Sequence, residues 1–262
     1  MAAESRFKRI SSITIKEYMM LCRDFVEFDE AEMELLAVAA IRYYKGSSQE
    51  RARSRHLQSA ESRWYKSVRR GRPDYSVYEG LEMVAEMWAC WRVYSRGYLL
   101  SVEKVLHLLP PASSIADLGC GCGHTAASLT LLFPQSRVVG TNIPTSFQYG
   151  VAGRMGLIHG FKMAEEPDGH FDLVFASEYF EHHERPLEHL GQVVSVCSPK
   201  VMIVANSFNS MSVGHFPEYR NGDGVIRAES AGRAFNLKLK GLGYEMVKMG
   251  LWNNRPAFWV KQ

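Results

Sequence analysis

The spacing of apolar residues along the chain changes near residue 110. Residues 1–110 carry apolar positions at helical spacing with few strand patterns, and Pro110 and Pro111 end this stretch. Residues 112–262 instead alternate short apolar runs with helical segments. Such alternation is typical of an α/β fold, in which helices cover both faces of a mostly parallel sheet. We therefore predict a helical N-terminal cap over residues 1–110 and an α/β domain over residues 112–262.

The second region contains seven apolar runs of strand length, which predict a doubly wound, mostly parallel sheet. The predicted strands cover residues 114–118, 137–142, 158–163, 171–176, 200–206, 244–250 and 256–261. The predicted helices cover residues 124–133, 146–155, 186–196 and 231–242. The last two strands have no helix between them, so we expect them to pair antiparallel at the edge of the sheet. The polar residues after the fifth strand, 210–223, are expected to form a loop.

A basic helix is predicted within the cap, over residues 49–70. Between Arg51 and Arg72, eight basic residues stand against a single acid. We interpret the basic residues as a solvated face above an apolar stripe that packs on the core. The alternative is a phosphate-binding surface for nucleic acid, in which Trp64 and Tyr65 stack on bases. The apolar stripe consists of Leu57, Ala60, Trp64 and Val68.

The composition is that of an ordinary globular protein. Hydrophobic residues make up 46% of the chain and charged residues 23%, which argues against a disordered chain. No apolar run approaches the roughly 20 residues that cross a bilayer, and the first ten residues lack an apolar signal core. The five cysteines are scattered and odd in number, so they predict neither a disulfide framework nor a zinc site. We expect a cytoplasmic protein without membrane association.

A glycine-rich turn follows the first predicted strand and precedes a helix. It reads Asp117-Leu-Gly119-Cys-Gly121-Cys-Gly123. Glycines at this place let the backbone turn tightly and approach a ligand closely, and the following helix offers free N–H groups. Dinucleotide-binding loops space their glycines as Gly-x-Gly-x-x-Gly, but His124 occupies the place of the third glycine here. The spacing therefore argues against a dinucleotide cofactor.

This loop and its surroundings resemble the class I S-adenosylmethionine-dependent methyltransferases. The first motif of that family is Asp/Glu-x-Gly-x-Gly-x-Gly, and residues 171–182 are similar to its fourth strand and the loop that follows. The resemblance covers residues 112–262 and implies a Rossmann-like sheet that binds S-adenosyl-L-methionine. It places the cofactor against Asp117, Gly119, Cys120, Gly121, Gly123, Asn142, Ile143 and Ser177.

The chain departs from the family pattern at two places. Asn142 stands at the end of the second strand, where the family usually has an acid that holds the ribose hydroxyls. An amide donates and accepts hydrogen bonds but cannot grip a ribose with two carboxylate oxygens. After the third strand, Glu165 only approximates the acid that often binds the adenine amino group.

Three titratable side chains are candidates for the proton transfer that an oxygen or nitrogen acceptor requires. Glu178 and His182 follow the fourth strand four residues apart, and we expect them to share one face of a helical turn. His215 lies in the polar loop after the fifth strand, which commonly lines the acceptor pocket in the family that this chain resembles. Asn206 ends the fifth strand and is a candidate for orienting the acceptor. The alternative for each is a structural role, such as a helix cap, a salt bridge or a hydrogen-bonded histidine.

A cluster of histidines and acids next to these residues raises the question of a metal. The cluster consists of Glu181, His182, His183, Glu184 and His189. Its spacing is not His-Glu-x-x-His, and adjacent residues on a helix point apart. Pro186 also interrupts any single helix that would carry all three histidines. We interpret the cluster as a solvated face and expect no metal.

The sequence leaves the methyl acceptor open. The Asp/Asn-Pro-Pro-Tyr/Phe motif of amino-group DNA methyltransferases and the Pro-Cys nucleophile of cytosine C5 enzymes are both missing after the fourth strand. We favour methyl transfer to oxygen, nitrogen or carbon of a small molecule. The second hypothesis is an RNA or DNA methyltransferase that uses the basic helix between Arg51 and Arg72. The third is an inactive cofactor-binding or scaffold protein, which is motivated by Asn142 and by the missing acid for the adenine amino group.

Overall fold

A large twisted sheet organises the fold. The computed structural model describes residues 55–79, 107, 113–248 and 256–262. The strands in these ranges are β1 (Ser114–Leu118), β2 (Arg137–Thr141), β3 (Lys162–Ala164), β4 (Leu173–Ser177), β5 (Val201–Ala205), β6 (Glu218–Asn221), β7 (Gly224–Arg227), β8 (Tyr244–Val247) and β9 (Ala257–Lys261). Seven of them form one sheet in the spatial order β3-β2-β1-β4-β5-β9-β8, and β6 pairs with β7 in a separate hairpin.

The strand directions confirm the predicted doubly wound, mostly parallel sheet. Strands β1 to β5 run parallel, and β9 runs antiparallel to both β5 and β8. The chain moves outward from β1 through β2 to β3 and then returns to place β4 on the other side of β1. This reversal opens a crevice at the carboxyl ends of β1 and β4, which is where open α/β sheets bind their ligands.

Helices cover both faces of the sheet. The described helices are α1 (Arg55–Arg69), α2 (His124–Leu132), α3 (Phe147–His159), α4 (Pro186–Cys197) and α5 (Ala228–Gly241), with 3₁₀ helices at Tyr75–Tyr78 and Phe180–His182. Successive residues of a strand point to opposite faces, so Val174 packs in the cluster with Leu190 while Phe175 packs in the cluster with Leu129. Burial on both faces explains the continuous apolar sequences of β4 and β5. None of the helices in the described ranges has the length and apolar character needed to span a bilayer.

Helix α1 packs on the sheet domain through the buried residues Ala60 and Trp64 of its apolar stripe. The Trp64 side chain is fully buried, and its indole N–H donates to the backbone carbonyl of His215 at 2.7 Å. This burial agrees with the predicted apolar stripe and contradicts the alternative in which Trp64 stacks on bases. The opposite face is solvated, as predicted, and carries the exposed side chains of Arg63, Lys66, Arg69 and Arg70. The predicted cap over residues 1–54 and 80–106 lies outside the described residues.

Two details of the predicted secondary structure are wrong. The predicted third strand, residues 158–163, begins too early because α3 continues to His159 and is capped by Gly160, whose φ is +79°. The predicted loop over residues 210–223 contains β6. Its partner β7 is largely exposed, so the hairpin lacks the alternating apolar pattern by which strands are recognised.

Candidate active site

The first half of the site, which we call the cofactor edge, comprises the loop of residues 117–123 and the strand end of residues 141–143. Gly119, Gly121 and Gly123 have φ values of +64°, +56° and +89°. A β-carbon on Gly119 would lie 2.6 Å from Cδ2 of Tyr179, and one on Gly123 would lie 2.8 Å from Cζ of Phe161. Both backbone conformation and space therefore require glycine at Gly119 and Gly123.

Asp117 lies beneath this loop. Its side chain is buried, and its carboxylate accepts a hydrogen bond from the hydroxyl of Thr125 on α2. Burial raises the pKa of Asp117 to about 7, although the hydrogen bond from Thr125 acts in the opposite direction. Asp117 thus joins the end of β1 to the first turn of α2 and supports the loop from below.

Cys120 contributes its backbone to the loop and its side chain to the core. The thiol lies 3.7 Å from Sδ of Met163, and Gly140 leaves room for it, since a β-carbon there would lie 2.8 Å from Cys120 Sγ. The backbone N–H of Cys120 donates to the Thr141 carbonyl at 2.9 Å. The loop is thereby fixed to the end of β2 by its main chain.

Asn142 also connects the end of β2 to the glycine loop. Its side-chain Nδ2 donates to the Gly121 carbonyl at 3.0 Å, and its Oδ1 accepts from the backbone N–H of Ile143 at 2.8 Å. A carboxylate has no donor and could not make the first of these bonds. The amide therefore performs a structural task at this position that an acid could not perform. Ile143 itself is exposed beside it.

The second half of the site, which we call the acceptor edge, comprises residues 177–182 with Asn206 and His215. Three buried oxygen atoms here have no hydrogen-bond partner within the described ranges: Ser177 Oγ, Glu181 Oε2 and Asn206 Oδ1. Ser177 is paired with Ala205 in the sheet, so Ser177 and Asn206 lie at adjacent strand ends. Buried polar atoms in folded proteins are almost always paired. Three unpaired oxygens at this end of the sheet therefore indicate a binding site.

Glu178 adopts a conformation that the sequence did not indicate. Its φ is +51°, and the 3₁₀ helix that contains His182 begins only at Phe180. The prediction that Glu178 and His182 share one face of a helical turn is therefore wrong. A left-handed conformation at a non-glycine residue costs about 1–2 kcal/mol, and such strain is concentrated at functional sites.

The fold nevertheless brings the candidate catalytic side chains together. Ligand-type atoms of Glu178, Glu181 and His215 all lie within 4.8 Å of one another. The His182 ring stands edge-on to the His215 ring, with centroids 4.8 Å apart. Burial lowers the pKa of both His182 and His215, so both imidazoles are neutral near pH 7. Glu178, His182 and His215, separated in sequence, thus surround one small volume.

Glu181 and Tyr78 also lie among these side chains, although the sequence did not indicate a functional role for either of them. The Glu181 side chain is fully buried, and one of its oxygens accepts from the backbone N–H of Ser207. Burial raises the pKa of Glu181 to about 7. The hydroxyl of Tyr78 lies 2.7 Å from Nδ1 of His182. The spacing of three from Glu178 was an available signal for Glu181, but no local pattern could have identified Tyr78.

The interpretation of the histidine cluster as a solvated face is wrong. The rings of His183 and His189 are stacked with centroids 3.9 Å apart, and burial lowers the pKa of both. The hydroxyl of Tyr179 lies 2.8 Å from Nε2 of His189. Helix α4 begins at Pro186, so no single helix carries the three histidines, as predicted. His183 and His189 support the Tyr179 ring, which packs against Gly119 of the cofactor edge.

Residues 116–205 match a family model described as a methyltransferase domain. No curated protein matches the chain. Human N-acetylserotonin methyltransferase in complex with SAM is similar in structure, with a TM-score of 0.48 and 14% sequence identity. The alignment covers 88% of this chain and 68% of the human protein. Magnesium protoporphyrin IX methyltransferase from Synechocystis with bound SAH has 17% identity, coverage of 79% and 97%, and a TM-score of 0.48. An O-methyltransferase family protein from Burkholderia thailandensis has 15% identity, coverage of 88% and 70%, and a TM-score of 0.48.

The matched stretch contains the residues on which the sequence resemblance rested. It runs from β1 to the end of β5 and includes the glycine loop, the end of β2 and residues 177–182. The sheet around it has the predicted seven strands, with β9 as the antiparallel member. The chain therefore contains a methyltransferase domain over residues 116–205, and the cofactor predicted for this domain is S-adenosyl-L-methionine.

Proposed function

We propose that this enzyme transfers the methyl group to an oxygen, nitrogen or carbon atom of a small molecule held at the acceptor edge. The observation that carries the proposal is the set of buried oxygens on Ser177, Glu181 and Asn206 that have no hydrogen-bond partner in the described part of the chain. A few polar groups fixed within a mostly apolar surround are typical of sites that orient small ligands. They lie beside the glycine loop, because Tyr179 of the acceptor edge packs on Gly119 of the cofactor edge.

The two edges have separate roles in this proposal: the cofactor edge binds S-adenosylmethionine and the acceptor edge binds the methyl acceptor. Main chain at Gly119, Gly121 and Gly123 is suited to the methionine half of the cofactor, and the adenosine half lies toward the end of β2. Methyl transfer is an in-line displacement from a sulfonium, so the enzyme mainly has to position the two reactants. The neutral rings of His182 and His215 are available to accept a proton from the acceptor.

Tyr78 acts on this chemistry through His182. When the Tyr78 hydroxyl donates to the Val213 carbonyl, at 3.3 Å, it accepts from Nδ1–H of His182, at 2.7 Å. In this tautomer Nε2 of His182 keeps the lone pair that a general base requires. We propose Tyr78 as a positioning residue for His182.

The proposal is tested by following a labelled methyl group from S-adenosylmethionine into a cell extract separated into low-molecular-weight, protein and nucleic-acid fractions. Label in the low-molecular-weight fraction is the expected result. Label that appears only in a nuclease-sensitive fraction would show that the acceptor is nucleic acid and would contradict the small-molecule proposal. The matched control is Gly121→Arg, which places a long side chain in the loop and should abolish both cofactor binding in a calorimetric titration and all labelling.

A second candidate acceptor, nucleic acid, is favoured by one specific observation. Helix α1 carries an exposed basic face, and it packs directly on the segment that supplies His215, since Trp64 bonds the His215 carbonyl and the Tyr65 hydroxyl bonds the Ser212 carbonyl. A polyanion bound to the basic face would therefore lie on a helix that contacts the acceptor edge. Trp64 takes no part in such binding because it is buried.

Salt dependence tests this second candidate. If α1 binds phosphates, affinity for a single-stranded RNA should fall steeply with salt. Arg69→Gln with Arg70→Gln should then lower the slope of log affinity against log salt by about 1–2. The matched control is Lys238→Gln with Lys240→Gln at the end of α5. An equal effect of both pairs would show that only the overall charge matters.

A further inference from the structure

We propose that Glu178, Glu181 and His215 bind a divalent cation of the magnesium or manganese type at the acceptor edge. Their three ligand-type atoms lie within 4.8 Å of one another. Ligands around one such ion stand about 3–4 Å apart, because each bond is roughly 2.1 Å long. Small side-chain rotations therefore suffice to close the three groups around an ion.

Glu181 provides an independent observation that points to a ligand. Its side chain is fully buried, and its Oε2 has no hydrogen-bond partner within the described ranges. The other carboxylate oxygen is fixed by the backbone N–H of Ser207. An unpaired carboxylate oxygen in the interior is costly, and a cation is the partner that compensates a buried negative charge most fully.

His215 is held in the way that metal-binding histidines are held. Its Nδ1 lies 2.9 Å from the Ser210 carbonyl, and donation to that carbonyl leaves the lone pair of the neutral ring on Nε2. The backbone carbonyl of His215 accepts the indole N–H of Trp64 at 2.7 Å. Both ends of the residue are therefore fixed before any ion arrives.

The ligand set indicates the class of ion. Two carboxylates and one imidazole are mostly oxygen ligands, which suit Mg²⁺ and Mn²⁺ better than they suit Zn²⁺ or Cu²⁺. Three protein ligands leave positions of an octahedron open for water or for an oxygen of the acceptor. This inference rests on the proposed methyl transfer, and it narrows the acceptor to a molecule that offers a hydroxyl group.

The cation would make a hydroxyl reactive by lowering its pKa. The cation-bound hydroxyl loses its proton to Nε2 of His182, because Nε2 of His215 binds the ion, and the resulting oxygen anion forms a bond to the methyl carbon. The bond between that carbon and sulfur breaks with its electron pair going to sulfur. The products are a methyl ether and S-adenosylhomocysteine, and no oxidant or reductant is involved.

The experiment is a titration of the full chain with Mn²⁺, without cofactor, followed by the electron paramagnetic resonance signal of the free ion. We expect one Mn²⁺ per chain, displaced by excess Mg²⁺. Glu181→Gln and Glu178→Gln should each weaken binding at least tenfold, about 1.4 kcal/mol per tenfold. The matched control is Glu184→Gln, in the same segment, whose carboxylate pairs with Arg220 at 2.7 Å.

Several outcomes would overturn the site. They are no Mn²⁺ bound by the wild type, equal binding by wild type and both glutamine variants, or tight binding of Zn²⁺ alone. Circular dichroism shows which variants are folded, and two separate variants guard against one that is not. A parallel titration with S-adenosylmethionine separates the two proposals. Cofactor binding without Mn²⁺ binding removes the cation site alone, whereas Mn²⁺ binding without cofactor binding removes the methyl-transfer proposal alone.

Discussion

The cofactor edge and the acceptor edge of the site differ in the chemical groups that form them. The cofactor edge consists mainly of backbone: three glycines with positive φ, a main-chain bond from Cys120 to Thr141, and the Asn142 amide bonded to Gly121. The acceptor edge consists of titratable side chains, and three of its buried oxygens are unpaired in the described structure. The cofactor edge has satisfied most of its bonds before the ligand arrives, whereas the acceptor edge has not.

This difference has an energetic meaning. A loop whose shape is fixed by its own backbone binds a constant ligand without reorganisation. Buried side chains without partners lower the stability of the free protein, and that cost is recovered only when something binds. We therefore expect substitutions at the cofactor edge to destabilise the free protein, and removal of polar groups at the acceptor edge to stabilise it.

The largest expected effect is that of Gly123→Ala. The φ of +89° and the approach of Phe161 to the new β-carbon act together, and we expect a loss of about 3 kcal/mol in the free energy of unfolding. The measurement is urea unfolding of the protein without cofactor. Gly153→Ala on α3 is the control, since no atom of the described residues lies within 4 Å of the added carbon, and it should leave stability unchanged or slightly higher. Equal effects of the two variants would show that the loop is not rigid.

Asp117 is the exception within the cofactor edge and gives an effect of similar size. Its pKa of about 7 in the folded chain exceeds its ordinary value in the unfolded chain. Between the two values the folded state holds a proton that the unfolded state has released, so the free energy of unfolding falls as pH rises, by about 1.4 kcal/mol per pH unit. Asp117→Asn should remove this fall and be more stable than the wild type at about pH 8.

The measurement is urea unfolding at several pH values between about 5 and 8. The amide introduced by Asp117→Asn would keep an oxygen for the Thr125 hydroxyl, so the hydrogen bond is preserved. Glu181, whose pKa is also raised by burial, contributes a slope of its own that remains in both proteins. Parallel stability curves for wild type and variant would contradict the role of burial at Asp117.

A smaller effect is expected for Asn142→Asp. The variant loses the donor to the Gly121 carbonyl and places a negative charge beside that oxygen, which should cost about 1–2 kcal/mol. Hydrogen exchange of the amides in residues 119–123 should become faster. Asn142→Ala, which removes the donor without adding charge, should be less destabilising than the acid. If Asn142→Asp leaves both stability and hydrogen exchange unchanged, the hydrogen bond from the Asn142 side chain to the Gly121 carbonyl is not needed.

The smallest effect, and the one of opposite sign, is expected for Ser177→Ala. The change removes a buried hydroxyl oxygen that has no hydrogen-bond partner among the residues the structure describes, and it should be neutral or stabilising by up to about 1 kcal/mol. Thermal unfolding of the free protein measures it. Thr125→Ala, which removes the donor to Asp117, is the control and should destabilise. A clear loss of stability in Ser177→Ala would mean that the acceptor edge is already satisfied without a ligand.

The sequence predicted the cofactor edge better than the acceptor edge for a physical reason. Gly119, Gly121 and Gly123 are required by backbone conformation, which is a local property and therefore visible in a short motif. The predicted third strand begins too early because Leu157 and Ile158 are apolar but lie exposed in the last turn of α3, which continues to its cap at Gly160. Boundaries depend on such details of capping, which spacing alone does not show.

The acceptor edge depends on contacts between distant parts of the chain. Glu181 lies in a polar run of the sequence, which predicts a solvated side chain. In the fold, the backbone N–H of Ser207 donates to its carboxylate and the Tyr219 hydroxyl donates to its backbone carbonyl. Both partners lie beyond β5 in the sequence, and the Glu181 side chain is buried. Tyr78 reaches His182 across 104 positions. Glu178, His182 and His215 could be named as candidates from residue type, but the left-handed turn at Glu178 could not be read from its neighbours.

The contact between Tyr78 and His182 passes directly over Gly214, where a β-carbon would collide with both side chains. A substitution at Tyr78, His182 or Gly214 therefore requires compensating changes at the other two positions, although the three are far apart in the sequence. If residues 55–79 were exchanged with those of a related protein, we expect a folded chimera only when the segment around Gly214 is exchanged as well. A shortened chain that began at β1 would lose Trp64 and Tyr78 and leave the acceptor edge open. We therefore expect the sheet domain to depend on residues 55–79 for its stability, since Trp64 and Tyr78 bond to His215 and His182 of the acceptor edge.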